Sequence, residues 1–534
     1  MFSKLFTISK NGFSLKNAIC VLVLACSIIY MFYHLIHFIG YGDDIYPISL
    51  CHSIINGNIP FVNSWISYPG YVLISPIVLL YKMVNNGYTG VVFYYKCIYF
   101  VVVLCNIYIM YHIFGLKYKN NRLLNFISAV LINQSIYLAW SSLSYNYIFV
   151  LINVYAILIF CFYDCFKMNR VRISILSAVL MFIMSMFYPT SSIIAIVYSF
   201  VFLLKNNDIK YTVVYVLTGF LLFVVYILSI FVFGGSISSI IKTINEILAL
   251  PHNKWKMGII DSIILNTHMY YKYIILTFMI VLFMILLAYI ISRINKRKVS
   301  LLPNYCLLAF VILFIVCYIS SIQQNYILTI LMAQPLLCLF FIMQIYENIP
   351  QIRRIIYFLL IVFPFYTMII SPRLFNAVEP FKQTKRIDCG IYNMLYTDNE
   401  NYNFITCLEK DLNLFFANDK PSLYEVTVFP AVYIMTDAKV CAPDTWDTMQ
   451  LDVANIESWK YTRNIKFPIS SYPVVDYFNY YNVKPLYITM VDYYVRDFLT
   501  SNRKYEIKEY INKNYNIVYE KNHGLSNLVI YKLK

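Results

Sequence analysis

The sequence predicts a polytopic α-helical membrane protein of about eleven spans, followed by a small extracytoplasmic α/β domain. Three observations carry this. Of 534 residues, 60% are hydrophobic and only 13% are charged, too few charges to cover a soluble protein of this length. Apolar runs of about 20 residues recur through the first 372 positions. The Lys and Arg residues gather in short clusters between those runs. The formal charge of +16 therefore reads as the positive-inside pattern of membrane proteins and not as a nucleic-acid footprint.

The first apolar run, Ala18 to Ile39, follows Lys4, Lys10 and Lys16. It is long for a signal peptide, and no small-x-small cleavage site follows it. We take it as a span leading outward from a cytoplasmic N-terminus. Asp43 and Asp44 come directly after it, on the outside. The next apolar piece, YVLISPIVLLYKMV (71–84), is short for a span and contains Pro76. If it crossed, Lys117, Lys119 and Arg122 would be external, against the charge rule. It is therefore expected along the outer surface, and 40–90 becomes one long external loop. Spans near 91–114, 123–142, 147–166, 173–188, 191–204 and 211–233 follow. A second long external loop, 234–271, precedes spans near 273–292, 302–320, 326–345 and 355–371. This threading keeps Lys167, Arg170, Arg172, Lys205, Lys210, Arg293, Lys296, Arg297, Lys298, Arg353 and Arg354 inside.

The tail, 373–534, is expected outside, and its composition shifts toward charged residues and amphipathic periods. VTVFPAVYIM (426–435), KPLYITMV (484–491), NIVYEK (516–521) and NLVIYKL (527–533) read as strands. FITCLEKDLNLFFAN (404–418) and 495–515 read as helices. The expected domains are 1–372, membrane-embedded, and 373–534, α/β. The chain has 13 cysteines, mostly within apolar runs, where Cys acts as a small hydrophobe. Only Cys389, Cys407 and Cys441 lie in the tail, and no CxxC spacing suggests zinc or redox work.

The first external loop carries a pattern: the acidic pair Asp43-Asp44, a short amphipathic helix from Pro47 to Asn56 closed by Gly57, then Ile59-Pro60-Phe61, Trp65, and Tyr68-Pro69 through Ser75-Pro76. This resembles the GT-C class of membrane glycosyltransferases, with the protein mannosyltransferases and the aminoarabinose transferases of lipid A as examples. The tail, with KPLYITMV, a helix and then YINKNYNIVYE and NLVIYK, looks like the small external domain that ends many bacterial members. The resemblance implies transfer of a hexose or pentose from a polyprenyl-phosphate carrier to an extracytoplasmic acceptor in the cell envelope. Two features differ: Tyr68-Pro69-Gly70 stands where many members have His-Pro-Pro, and SSLSYNY, without an acid, stands between spans three and four.

The chemistry points the same way. Glycosyl transfer needs a base to take the acceptor's proton and cations to stabilise the departing phosphate. Asp43 and Asp44 are the only acids in 40–90 and sit at headgroup depth. Their competing role is capping of the following helix, to which Asp44 is nearer. Candidates for the phosphate are Lys82, Lys254, Lys256 and Arg373; interfacial anchoring is the competing role of each. A divalent metal bridging the acidic pair and the phosphate is compatible with two adjacent carboxylates, but the sequence offers no further ligand set and names no cofactor. Glu246 and Asp261 are reserves for a second acid. His252 and His268 lack paired metal-ligand spacing.

Polar groups within the runs are few, chiefly Asn133, Gln134, Asn153 and Gln334. That scarcity argues against an ion-coupled transporter. The rival readings are an O-antigen-type polysaccharide polymerase or ligase and a non-catalytic membrane transporter or assembly subunit of a glycan pathway. The expected location is the plasma membrane, with a lipid-linked sugar donor, a glycan, lipid or protein acceptor, and no nucleic-acid partner.

Overall fold

The computed structural model describes residues 15–37, 39–40, 44–66, 68–119, 121–137, 142–166, 169–188, 192, 194–196, 209–249, 278–279, 281–294, 298–320, 326–349, 382–416, 420–426, 429–442, 445, 474–492, 506–523 and 527–534. Helix follows hydropathy. The apolar runs become α1 (Leu15–Ile36), α4 (Val91–Lys117), α5 (Arg122–Tyr137), α6 (Tyr145–Cys161), α7 (Arg170–Phe187) and α8 (Ile209–Val232). Beyond them come α10 (Val281–Ile294), α11 (Leu302–Ser320) and α12 (Tyr326–Glu347). Three of these, α4, α7 and α8, are long and apolar enough to cross a membrane by length and composition. On α8, Val216, Leu217, Phe220 and Leu221 are all exposed, an apolar surface that lipid would cover. The chain is thus a largely helical protein whose apolar helices are compatible with membrane association. The expected segment near 355–371 lies outside the described residues, as does most of 191–204.

Two short helices break the pattern of long runs. Pro47 near its N-terminus starts α2 (Tyr46–Ile55), and Gly57 at φ +94 lets the chain turn away after it. Pro76 starts α3 (Ser75–Asn85), and Asn86 in the left-handed conformation ends it. Eleven residues give a rise of only about 16 Å, half the hydrocarbon thickness. Leu79, Leu80, Met83 and Val84 face outward on α3, as a helix lying in an interface requires. A reporter fused after Asn86 should read outside and one fused after Lys119 inside. The reverse order, or one side for both, overturns the surface placement of this segment.

The chain divides into two compact units, 1–35 with 97–223 and 259–378, and 36–96 with 224–258 and 379–534. In the first, apolar helices are tied by a few internal polar groups. Gln134 donates to Ser27 Oγ (2.5 Å), joining α5 to α1, and Asn106 donates to the Tyr147 hydroxyl (3.0 Å), joining α4 to α6. At one end of α4, Lys117 pairs with Glu347 (2.7 Å), Tyr118 also bonds Glu347, and the Tyr118 and Tyr346 rings stack. A charged group at a helix end thus joins α4 to α12.

The second unit holds the first expected external loop, part of the second and nearly all of the tail. Its loop helices are α2, α3 and α9 (Ile237–Ala249). Its tail supplies the two-stranded pair β1 (Lys385–Arg386) and β2 (Tyr396–Thr397), then α13 (Asn399–Phe416), β3 (Ser422–Glu425), α14 (Ala431–Met435), β4 (Lys439–Val440), α15 (Val474–Tyr480), β5 (Tyr487–Asp492), α16 (Glu506–Asn514), β6 (Tyr515–Asn522) and β7 (Asn527–Leu533). The five-stranded sheet has the order β4-β3-β5-β7-β6. β3 runs parallel to β4 and β5, and β7 runs antiparallel to β5 and β6. Short runs rich in β-branched and aromatic residues located β5, β6 and β7 correctly. The strand expected over 426–435 is a correction: the strand is four residues earlier, at 422–425, and 431–435 is helix. Pro430, at φ −61 in the helical region, ends the extended run and starts α14.

Candidate functional site

Three residues separate Gly40 from Asp44. A β-carbon on Gly40 would come within 2.9 Å of Asp44 Oδ2, so the glycine makes the space that the carboxylate fills. Ile45 occupies the N-cap position of α2, and no side chain caps that helix. Asp44 is therefore not the cap. Its Oδ2 lies 3.2 Å from Nζ of Lys96, in the second turn of α4, and the two residues are 5% and 2% exposed. A charge pair this deeply buried must be well matched, because removing either partner leaves the other desolvated and alone. The pair pins the chain just before α2 to α4. Asp43, next to it, lies outside the described residues.

The motif Ile59-Pro60-Phe61 and Trp65 forms a tightly bonded knot. Phe61 sits at φ +65, a conformation that a bulky residue holds only when its surroundings impose it. Those surroundings are visible. Phe61 N–H donates to the carbonyl of Ser64 (3.2 Å), and Asn63 Oδ1 accepts from Ile59 N–H (2.7 Å). Ser239 of α9 donates to the Phe61 carbonyl (2.8 Å), and Tyr477 of α15 donates to the Asn63 carbonyl (3.1 Å). Trp65 is fully buried, edge-on to Tyr477 at 5.2 Å. Lys242 of α9 lies 5.7 Å from the Trp65 ring and 5.7 Å from the exposed Tyr480 ring, within cation–π range.

Lys82, a candidate for the phosphate, is held in a second polar centre. Its Nζ lies 2.6 Å from Asp437 Oδ1, and Lys420 Nζ lies 2.7 Å from Oδ2. Lys82 also sits 4.7 Å from the centre of the Tyr88 ring. Asp437 follows α14 in the left-handed conformation, φ +45, which Asp tolerates better than most residues. Buried His52 of α2 completes the centre. Its Nε2 is 2.7 Å from the carbonyl of Ala438, which only accepts, so the proton is on Nε2 and Nδ1 accepts from the Tyr88 hydroxyl at 2.8 Å. Burial pushes His52 down to about 4, against the pull of the Ala438 carbonyl and the Asp437 charge. Burial pulls Asp437 up, but hydrogen bonds from Lys420 and Lys82 outweigh it and hold the carboxyl below its ordinary value.

Both groups favour the fold at higher pH. His52 stays neutral when folded and its ordinary value is near 6.5. Its contribution is complete above that value and disappears as pH falls toward 4. Asp437 adds a loss of the same sign below the ordinary carboxylate range. The stability difference between wild type and His52→Gln should shrink by on the order of 3 kcal/mol from pH 7 to pH 4. A constant difference across that range would mean that His52 is not held neutral by burial.

Lys254, Lys256 and Arg373 lie outside the described residues, as do Asp261, His252, His268 and the side chain of Glu246. Among the described residues, no three His, Cys, Asp or Glu side chains converge as a metal-ligand set. Four members of the two centres were not foreseen. Lys96 had a signal, since it is a lone charge inside an apolar run. His52, Lys420 and Asp437 had none, because their partners are brought together across 355 residues in the case of Lys82 and Asp437.

Chemically, the described half of the acidic pair is one carboxylate, Asp44, fixed on a buried ammonium. Comparison with protein-family profiles, with curated proteins and with solved structures returns no match to this chain, so its functional reading rests on these residues.

Proposed function

We propose that the protein is a plasma-membrane glycosyltransferase of GT-C type, multi-pass, with its C-terminal α/β segment outside the cytoplasm. It takes a sugar from a polyprenyl phosphate and passes it to an extracytoplasmic acceptor with inversion at C1. The observation that carries this reading is the Asp44–Lys96 pair. It anchors the chain at the acidic pair, directly after the first apolar helix, where the headgroup of a carrier lipid would lie.

In the reaction, the acceptor oxygen attacks C1 of the sugar as the C1–O bond to phosphate breaks. The acceptor's proton passes to Asp43, and the bonding pair leaves with the polyprenyl phosphate. Asp44 is committed to Lys96 as an anchor, which leaves Asp43 to be assigned as the base. Positioning of this kind matters because a misplacement of about 1 Å can cost a hundredfold in rate. The departing phosphate needs a cation. Lys82 is tied up in its ion pair with Asp437, which favours Lys254, Lys256 and Arg373 for that task. The knot around Phe61 and Trp65 supports the reading as well, since imposed backbone strain gathers at functional loops.

The direct test is purified full-length protein with a panel of polyprenyl-phosphate sugars and membrane extract as acceptor, measuring release of free polyprenyl phosphate. Release from one donor class is expected. Folded protein that releases none from any donor overturns the proposal.

A further inference from the structure

We propose that Glu409 is the proton-carrying catch of a latch that docks the loop 388–393 onto the first turn of α4. The sequence between β1 and β2 is IDCGIYNML. Its ends close on each other, with Ile387 N–H bonded to the Leu395 carbonyl (2.8 Å) and Met394 N–H to the Ile387 carbonyl (2.9 Å). The loop tip then meets α4. The Gly390 carbonyl accepts from Gly90 N–H (2.8 Å) and the Ile391 carbonyl from Val92 N–H (3.2 Å). The first amides of a helix have no partners within it, and here loop carbonyls supply them.

Glu409 lies beneath this contact. It is on the buried face of α13, with Ile405, Leu408 and Leu412, and is 7% exposed. Oε1 accepts from the N–H of Ile391 (3.2 Å), the same residue whose carbonyl caps α4. Oε2 is buried without a hydrogen-bond partner. A β-carbon on Gly390 would fall on that oxygen, and Gly390 is at φ +66. Only glycine both adopts this turn and leaves room for the carboxyl group.

A buried carboxylate with one weak donor is costly, and a protonated carboxyl in the same place costs far less. Among the described residues, Glu409 forms no ion pair. The groups around it offer no rescue. Asp388 and Cys389 of the loop add no positive charge. Lys385 and Arg386 of β1 are exposed. Asp411, two residues on, is held by Lys521 (2.7 Å) and His523 (3.4 Å), and α14 carries no charge. Burial accordingly pushes Glu409 up to about 7, against the pull of the Ile391 amide. The sign follows. The proton's contribution to docking is complete below about 4.5 and is lost as pH rises through about 7. This is opposite to His52, so the two groups respond to pH in opposite directions. Undocking would bare the first turn of α4, the helix that carries Lys96. The latch itself does not depend on the glycosyltransferase reading.

Hydrogen exchange on the full chain in detergent tests it, corrected for the intrinsic pH dependence of exchange. Amides of 88–94 and 388–394 should lose protection about tenfold or more between pH 6 and pH 8.5, while those of β5 and β7 hold theirs. Glu409→Gln, which mimics the protonated form, should keep protection at both values. Flat wild-type protection overturns the latch, and so does an equal fall in Glu409→Gln. Should that variant fail to fold, the wild-type profile alone still decides.

Discussion

Asp43→Asn in the full-length protein should lower sugar transfer by about a hundred- to ten-thousand-fold, the usual contribution of a general base. That is roughly 3 to 5 kcal/mol of barrier. Stability and donor binding should stay near wild type, because asparagine keeps the shape and loses only the ability to take the proton. The substitution is informative because the structural role has gone elsewhere. Ile45 is the N-cap of α2 with no side-chain cap, and the buried charge pairing belongs to Asp44. A helix cap is in any case worth only about 0.5 to 2 kcal/mol, and in stability, not in rate. Release of polyprenyl phosphate under saturating donor is the measurement. Transfer at near the normal rate removes Asp43 as the base.

The extent to which this could be read from the sequence differs by level. Among the described residues, apolar runs gave helices where they were expected, because a run of about 20 apolar residues resembles little else. The acids and bases of 373–534 balance, so the whole +16 lies in 1–372, where the short basic clusters drove the threading. α2 was legible from Pro47 and Gly57, and β5 to β7 from their short runs of β-branched and aromatic residues. The strand expected at 426–435 is absent because Pro430 breaks the extended run and opens a helix. The polar centre at Asp437 was invisible for a different reason. Lys82, Lys420, His52 and Asp437 each look like isolated loop residues, and nothing local encodes their meeting. Glu409 was hidden in the same way: an acid in an amphipathic helix reads as solvated until the glycine loop is seen to cover it.

Lys96→Met should destabilise the protein by about 3 to 5 kcal/mol, because it strands the buried Asp44 carboxylate. Asp44→Asn should cost a comparable amount by stranding the ammonium. The double variant should recover most of the loss, since exchanging a whole buried pair for groups of similar size is often close to neutral. Reversible unfolding in mixed micelles gives the three differences, and the coupling energy follows from the cycle. Singles that each cost under about 1 kcal/mol would show that the pair is solvated and no anchor. Activity then separates anchor from base. The double variant keeps Asp43 and the fold, so it should retain measurable transfer with a loosened geometry, losing about a hundredfold or less. A double variant that is as stable as wild type and wholly inactive, beside an active Asp43→Asn, would assign the proton to Asp44 and make Lys96 the group that tunes it.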